Sequence, residues 1–98
     1  MADAQIALIA KVRAKDGQTK ALAAELTSMI KPTRAEAGCI KYDLHVSADD
    51  EALFMFYEIW RSKEDLDLHI ETPHLQGLLS KMGTLVEGDL DVSMWKLV

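Results

Sequence analysis

The segment Leu53–Trp60 limits the possible folds most strongly, because its sequence LFMFYEIW is apolar on both sides of a strand. Alternate residues of a strand point to opposite faces of a sheet. One face would carry Leu53, Met55, Tyr57 and Ile59, and the other would carry Phe54, Phe56 and Trp60. Helices cover only one of these faces, and a large uncovered apolar face marks an interaction site. The sequence therefore predicts helices on one side of the sheet and a second copy of the chain, making a homodimer, on the other.

Three further strands are predicted from alternating apolar and polar residues. Two of them are Ile6–Ala14 and Cys39–Val46, and the last is Leu85–Val98 with a bend or bulge at Gly88. The polar sequence SADDEA predicts a hairpin loop between the second and third strands. A symmetric loop would set the pairs Val46 with Leu53, Tyr42 with Tyr57, and Lys41 with Glu58, and a shift of one residue would exchange the faces.

Two helical regions are predicted between the strands. One helix begins near Gln18 and is kinked or ended by Pro32. The second begins at Ser62, breaks at Thr72-Pro73, and continues as a short helix that Gly83 ends. The order is then βαββαβ, an α+β ferredoxin-like domain with a four-stranded antiparallel sheet. A chain of 98 residues is expected to form a single domain over residues 1–98.

Composition excludes several classes of function. Eleven basic and sixteen acidic residues give a net charge of −5, which suits neither nucleic acid nor an anionic membrane surface. One cysteine, Cys39, allows no intrachain disulfide and no cysteine-rich zinc site. The first residues contain neither a leader pattern nor an apolar run that could span a bilayer. We expect a cytoplasmic protein without membrane or nucleic-acid partners.

His69 is the first candidate for chemistry. Its ordinary pKa near 6.5 leaves an imidazole largely neutral at pH 7, so it can act as a general base. The same residue has helical spacing with Leu66 and Ile70, which also fits a histidine that only packs between helix and sheet. The sequence leaves these two interpretations nearly balanced.

Three more polar side chains lie close to it in the predicted fold. Glu58 is costly on an apolar strand unless it is paired, so a salt bridge to Lys41 or Arg61 is favoured over catalysis. If Glu58 has no such basic partner, it would orient His69. Trp60 is either a core aromatic or an N–H donor to a ligand oxygen, and Tyr42 either packs or lines a pocket.

Metal binding is not predicted. His69 and His74 are five residues apart, which places them on different sides of a helix, and Pro73 lies between them. His45 is the remaining histidine, and no HExxH motif is present. The sequence therefore favours no metal ligand set.

Two stretches, PTRAEAGCIKYDLH and FMFYEIWRSKEDLDLHIETPHL, resemble the antibiotic biosynthesis monooxygenase family, and in particular its small members similar to quinol monooxygenases. The most specific similarities are Glu36, Gly38, Tyr42, Glu58-x-Trp60 and His69 with Thr72-Pro73-His74. The resemblance implies a protomer that dimerises into an α+β barrel, with a pocket between sheet and helices. It also implies oxidation of phenolic or quinol-type substrates by O2 without flavin, haem or metal. Haem-degrading relatives use an asparagine, and this chain has none.

The predicted function is accordingly a cofactor-independent monooxygenase acting on a small aromatic or quinol-type compound. Its predicted catalytic residues are His69, Trp60 and Glu58, and its predicted substrate-binding residues are Tyr42, Phe56 and Leu66. Two alternatives remain open at this point: a cofactor-free isomerase of a small phosphorylated carbonyl compound, and a non-catalytic dimer that binds a small molecule.

Overall fold

The computed structural model describes residues 4–98 of the chain. Its strands are β1 (Ile6–Ala14), β2 (Cys39–Val46), β3 (Leu53–Trp60) and β4 (Val86–Trp95). Its helices are α1 (Thr19–Ser28), α2 (Ile30–Arg34), α3 (Lys63–Ile70) and α4 (Pro73–Leu85). The strands form one antiparallel sheet in the order β2-β3-β1-β4, so the predicted ferredoxin-like α+β fold is confirmed. Within residues 4–98, no helix is both long enough and apolar enough to cross a membrane.

The helices pack on one face of the sheet and bury it. On β3 this face carries three large apolar side chains and one carboxylate, namely Phe54, Phe56, Trp60 and Glu58, all of them buried. The opposite face of β3 carries Leu53, Met55, Tyr57 and Ile59, all half-buried in the single chain. That a second copy of the chain covers this face stays a prediction.

The predicted pairing of β2 with β3 is wrong by one residue. Val46 pairs with Phe54, Tyr42 with Glu58 and Lys41 with Ile59. The observed register puts Tyr42 on the helix-covered face, where it is 2% exposed and stacks on Phe56 with ring centroids 4.4 Å apart. Burying the tyrosine ring against a neighbouring aromatic stabilises this register over the symmetric loop.

The predicted interruption of the first helical region near Pro32 is confirmed as a kink. Helix α1 ends at Ser28 and α2 begins at Ile30, with Pro32 in the first turn of α2, where a missing backbone N–H costs little. One predicted helix end is corrected. Gly83 does not end α4, which continues to Leu85. Among the described residues only Gly17 and Gly88 have positive φ, so Gly83 lacks the left-handed backbone of a helix-ending glycine.

The remaining boundaries follow the predicted signals closely. The Ser62 hydroxyl accepts a hydrogen bond from the Asp65 N–H at the start of α3, and the Thr72 hydroxyl accepts one from the Leu75 N–H at the start of α4. Gly88 has φ 72° and lies where the β1–β4 register shifts, which confirms the predicted bulge. The last strand is shorter than predicted, since Leu85 belongs to α4 and residues 96–98 follow β4.

Candidate functional site

An apolar cavity of about 260 Å³ lies between the helix-covered face of the sheet and the helices. Most of its wall is aliphatic, with side chains such as Leu8, Leu75, Leu78, Met82 and Val92. Five of the six predicted site residues line it: Tyr42, Phe56, Glu58, Leu66 and His69. Ligand pockets of this kind, apolar with a few convergent polar groups, are typical of small-molecule sites.

Glu58 supplies a carboxylate to this cavity. It is 4% exposed, and its Oε1 accepts a hydrogen bond from the Trp60 indole N–H at 2.9 Å. Burial raises the pKa of Glu58 to about 7, with a smaller contribution from the charge of Glu36, although the Trp60 bond opposes the rise. Glu58 is therefore divided between its neutral and charged forms near pH 7, and it can both donate and accept a proton.

The salt bridge predicted for Glu58 is wrong. Lys41 points to the other side of the sheet and lies 2.9 Å from Asp43. Arg61 lies 2.7 Å from Asp65, one turn later in the chain. Glu58 is instead compensated by a neutral donor, and this leaves the carboxylate with its raised pKa.

Trp60 lies behind the cavity wall and contacts two of the residues that line it. Its side chain is fully buried, and its N–H donates a hydrogen bond to Glu58. Trp60 is not among the residues that line the cavity. The indole and the His69 imidazole lie with ring centroids 4.5 Å apart. The tryptophan thus holds both Glu58 and His69 in place, and its N–H faces the carboxylate rather than the cavity.

His69 lies on α3 and reaches the cavity from the helix side. Its Nδ1 is 2.8 Å from Oε2 of Glu36, and its ring contacts the edge of Tyr42 at a centroid distance of 5.8 Å. Burial lowers the pKa of His69 even though Glu36 opposes this, so the imidazole is neutral at pH 7. A carboxylate accepts, so this contact assigns the proton to Nδ1 and leaves Nε2 as the free lone pair.

The carboxylate that orients His69 is Glu36 and not Glu58. Glu36 lies in the turn between α2 and β2, and its Oε2 is also 2.8 Å from Nε2 of His74. The expectation that His69 and His74 lie apart is wrong, since their ring centroids are 6.0 Å apart. The chain changes direction at Thr72-Pro73, and this brings the first turn of α4 back toward α3.

The turn that carries Glu36 is held tightly against the start of α3. The Gly38 carbonyl accepts a hydrogen bond from the Arg61 N–H at 2.8 Å. A Cβ atom on Gly38 would lie 2.3 Å from Cβ and Cγ of Asp65, so only glycine fits this close approach. Glu36 and Gly38 were noted only as part of the family resemblance. Nothing in the sequence indicated that Glu36 contacts His69, which is 33 residues away in the chain.

A model described as antibiotic biosynthesis monooxygenase matches residues 5–79. The chain belongs to this family, and the resemblance in the sequence is confirmed.

Two relatives match this chain over nearly their whole length. A Mycobacterium tuberculosis protein named "Putative monooxygenase Rv0793" is 39% identical over 89 residues, which are 91% of this chain and 87% of that protein. The structure of Rv0793 has a TM-score of 0.91 at 35% identity and covers 96% of this chain and 95% of that chain. The crystal structure of PA3566 from Pseudomonas aeruginosa has a TM-score of 0.94 at 32% identity, covering 100% of this chain and 98% of that one.

Another relative is much longer than this chain. The uncharacterized protein sll1783 of Synechocystis is 27% identical over 96 residues, which are 98% of this chain but 65% of that protein. These likenesses establish the family and the fold.

Proposed function

We propose that this protein is a cofactor-independent monooxygenase that oxidises a small aromatic or quinol-type compound with O2 in the cavity between sheet and helices. The observation that supports this most directly is a neutral imidazole, His69, held by Glu36 at the wall of an apolar cavity. Family membership supports the class of reaction.

In the proposed reaction, Nε2 of His69 takes the proton of a substrate hydroxyl. The resulting electron-rich anion then reduces O2, so that the substrate itself supplies the electrons. One oxygen atom enters the ring and the other leaves as water, which converts a phenol into a quinone. The aliphatic part of the wall offers water no hydrogen-bond partner near the radical and peroxide stages, and Glu36 stabilises the imidazolium that forms.

Glu58 has the second chemical role in this proposal. Its carboxyl group is partly protonated near pH 7, so it can donate a hydrogen bond to the second oxygen of the substrate or a proton to the departing oxygen. Tyr42 and Phe56, stacked at 4.4 Å, form a flat wall that suits an aromatic ring. Leu66 contributes to the aliphatic part of the wall, and Trp60 positions Glu58.

An isomerase is the second candidate, because Glu58 and His69 supply two acid–base groups to one cavity. Proton transfer between neighbouring carbons needs such a pair. The residues described around the cavity include neither lysine nor arginine, so nothing there pairs with a phosphate group. This charge pattern favours the uncharged aromatic substrate over a phosphorylated carbonyl compound.

Oxygen uptake with a panel of hydroquinones and phenols tests the proposal. We expect His69→Ala to lower kcat by about 10²–10⁴-fold, the usual contribution of a general base. His45→Ala is the matched control, because His45 lies on the opposite face of the sheet from the cavity and its Nδ1 lies near the Asp43 carbonyl. Sedimentation equilibrium of His45→Ala checks that this substitution leaves the proposed dimer unchanged. Isotopically labelled O2 should place one labelled atom in the product.

Uptake that is equal in the wild type and His69→Ala would refute the role of His69. Failure of every compound in the panel to drive oxygen uptake would refute the oxygenase itself. Isomerisation of an uncharged carbonyl compound that is lost in His69→Ala would then support the second candidate.

We further propose that the single domain acts in the cytoplasm as a homodimer joined through the uncovered face of the sheet. The half-buried apolar side chains of β3 on that face, among them Met55 and Tyr57, support this assembly. Sedimentation equilibrium measures it, and a monomer at micromolar concentration would refute it.

A further inference from the structure

We propose that Glu36, His69 and His74 form a binding site for one divalent transition-metal ion of the Zn²⁺ or Co²⁺ type. One atom of each residue converges on the same point: Oε2 of Glu36, Nδ1 of His69 and Nε2 of His74. All three atoms lie within 4.8 Å of one another. Two imidazole nitrogens and one carboxylate oxygen are a donor set that such ions prefer.

The separations are close to those that an ion requires. Zinc binds nitrogen and oxygen at about 2.0–2.2 Å, which puts neighbouring ligand atoms about 3.0–3.6 Å apart. The carboxylate oxygen is now 2.8 Å from each histidine nitrogen. Widening each of these contacts by about half an ångström, and bringing the two nitrogens from within 4.8 Å to about 3.6 Å or less of each other, would admit the ion at bonding distance. We expect the partly exposed His74 side chain to supply this movement.

The surroundings favour an ion that enters from one side. The His69 side chain is 4% exposed, whereas Glu36 is 16% and His74 is 22% exposed. The ligands come from three separate elements, since Glu36 is in the turn before β2, His69 in α3 and His74 in α4. An ion held by all three would therefore fasten the α3–α4 junction to the turn.

Binding changes the chemistry of His69 as well. Without the ion, the proton sits on Nδ1 and points at Glu36. An ion on Nδ1 replaces that proton, so a neutral imidazole must carry its proton on Nε2 instead. The nitrogen facing away from Glu36 then changes from an acceptor into a donor. This consequence alone rests on the proposed function, because it predicts that the ion inhibits a reaction that needs His69 as a base.

Titration of chelator-treated protein with Co²⁺, followed by the visible absorption of the ion, tests the site without using activity. We expect one ion per chain, and competition by Zn²⁺. Glu36→Gln and His74→Ala should each weaken the affinity by at least about 10–100-fold, the loss that follows when only a hydrogen-bond partner of a ligand is removed. Circular dichroism should show that both variants keep the fold. His45→Ala is the matched control and should bind as tightly as the wild type.

Three results would overturn the site: no saturable Co²⁺ spectrum, affinity unchanged in both Glu36→Gln and His74→Ala, or an equal loss in His45→Ala. Each would mean that the cluster is a hydrogen-bonded network only. Oxygen uptake is measured separately with and without Zn²⁺. A Co²⁺ spectrum without any oxygen uptake keeps the metal site and removes the oxygenase, whereas uptake without a spectrum does the reverse.

Discussion

Replacing Glu58 with glutamine should make the stability of the protein less sensitive to pH. The carboxyl group has a pKa of about 7 in the folded protein and an ordinary value of 4.5. The folded state therefore binds this proton more tightly than the unfolded state does, and the free energy of unfolding falls as pH rises from about 4.5 to about 7. Glutamine keeps an oxygen that can accept the Trp60 N–H, but it cannot ionise.

The size of the effect follows from the same two values. At about 1.4 kcal/mol per pH unit, the difference between 4.5 and about 7 corresponds to about 3 kcal/mol. Near pH 5 the wild type and Glu58→Gln should have similar stability. Above pH 8 the variant should be more stable by up to about 3 kcal/mol, because the wild type must then bury a charged carboxylate.

Urea denaturation at several pH values between 5 and 9 measures this difference. Every other titrating group is shared by the two proteins, so subtraction isolates Glu58. Glu51→Gln makes the same chemical change at an exposed carboxylate of the hairpin turn and is the matched control. Parallel stability curves for the wild type and Glu58→Gln between pH 5 and 8.5 would refute the reasoning.

Two further predictions concern Gly38 in the turn beside the site and Cys39, the first residue of β2. Gly38→Ala should destabilise the protein by about 1–3 kcal/mol in thermal or urea denaturation, because its methyl group would clash with Asp65. Gly83→Ala has open space around it in α4 and should be neutral or stabilising by up to about 1 kcal/mol, so equal effects of the two substitutions would contradict the packing described. Burial raises the pKa of Cys39 to about 11, so only about one thiol in a thousand is ionised at pH 8 and iodoacetamide should react slowly until urea unfolds the chain. Equal alkylation rates in the folded and unfolded protein would show that the thiol is not protected.

The strands and helices could be predicted because they depend on local patterns. Alternation located β1 and β2 at their observed bounds, and a continuous apolar run located β3. Thr72-Pro73 correctly separated two helices. The hairpin register depends instead on how Tyr42 packs against Phe56 across the sheet. Periodicity contains no information about that choice, so the prediction failed by one residue.

Part of the candidate site could be proposed from the sequence for the same reason. Glu58 and His69 were selected because one lies on an apolar strand and the other on the apolar face of a helix. Glu36 lies in a turn whose residues follow no periodic pattern, and it meets His69 only because the fold brings residues 33 positions apart into contact. His74 was dismissed by helical geometry, which fails where a proline begins a new helix.

The cavity wall has an uneven distribution of polarity. Tyr42, Glu58 and His69 lie together near the junction of β2, β3 and α3, whereas the side facing β4 and α4 is lined by apolar side chains such as Val92 and Met82. We therefore expect the oxygen-bearing end of a ligand, its head, to hydrogen-bond with the polar residues. The rest of the ligand should contact apolar side chains, which do not fix its orientation. Along a homologous series, lengthening the far end should change affinity gradually, while moving a single hydroxyl on the head should abolish recognition.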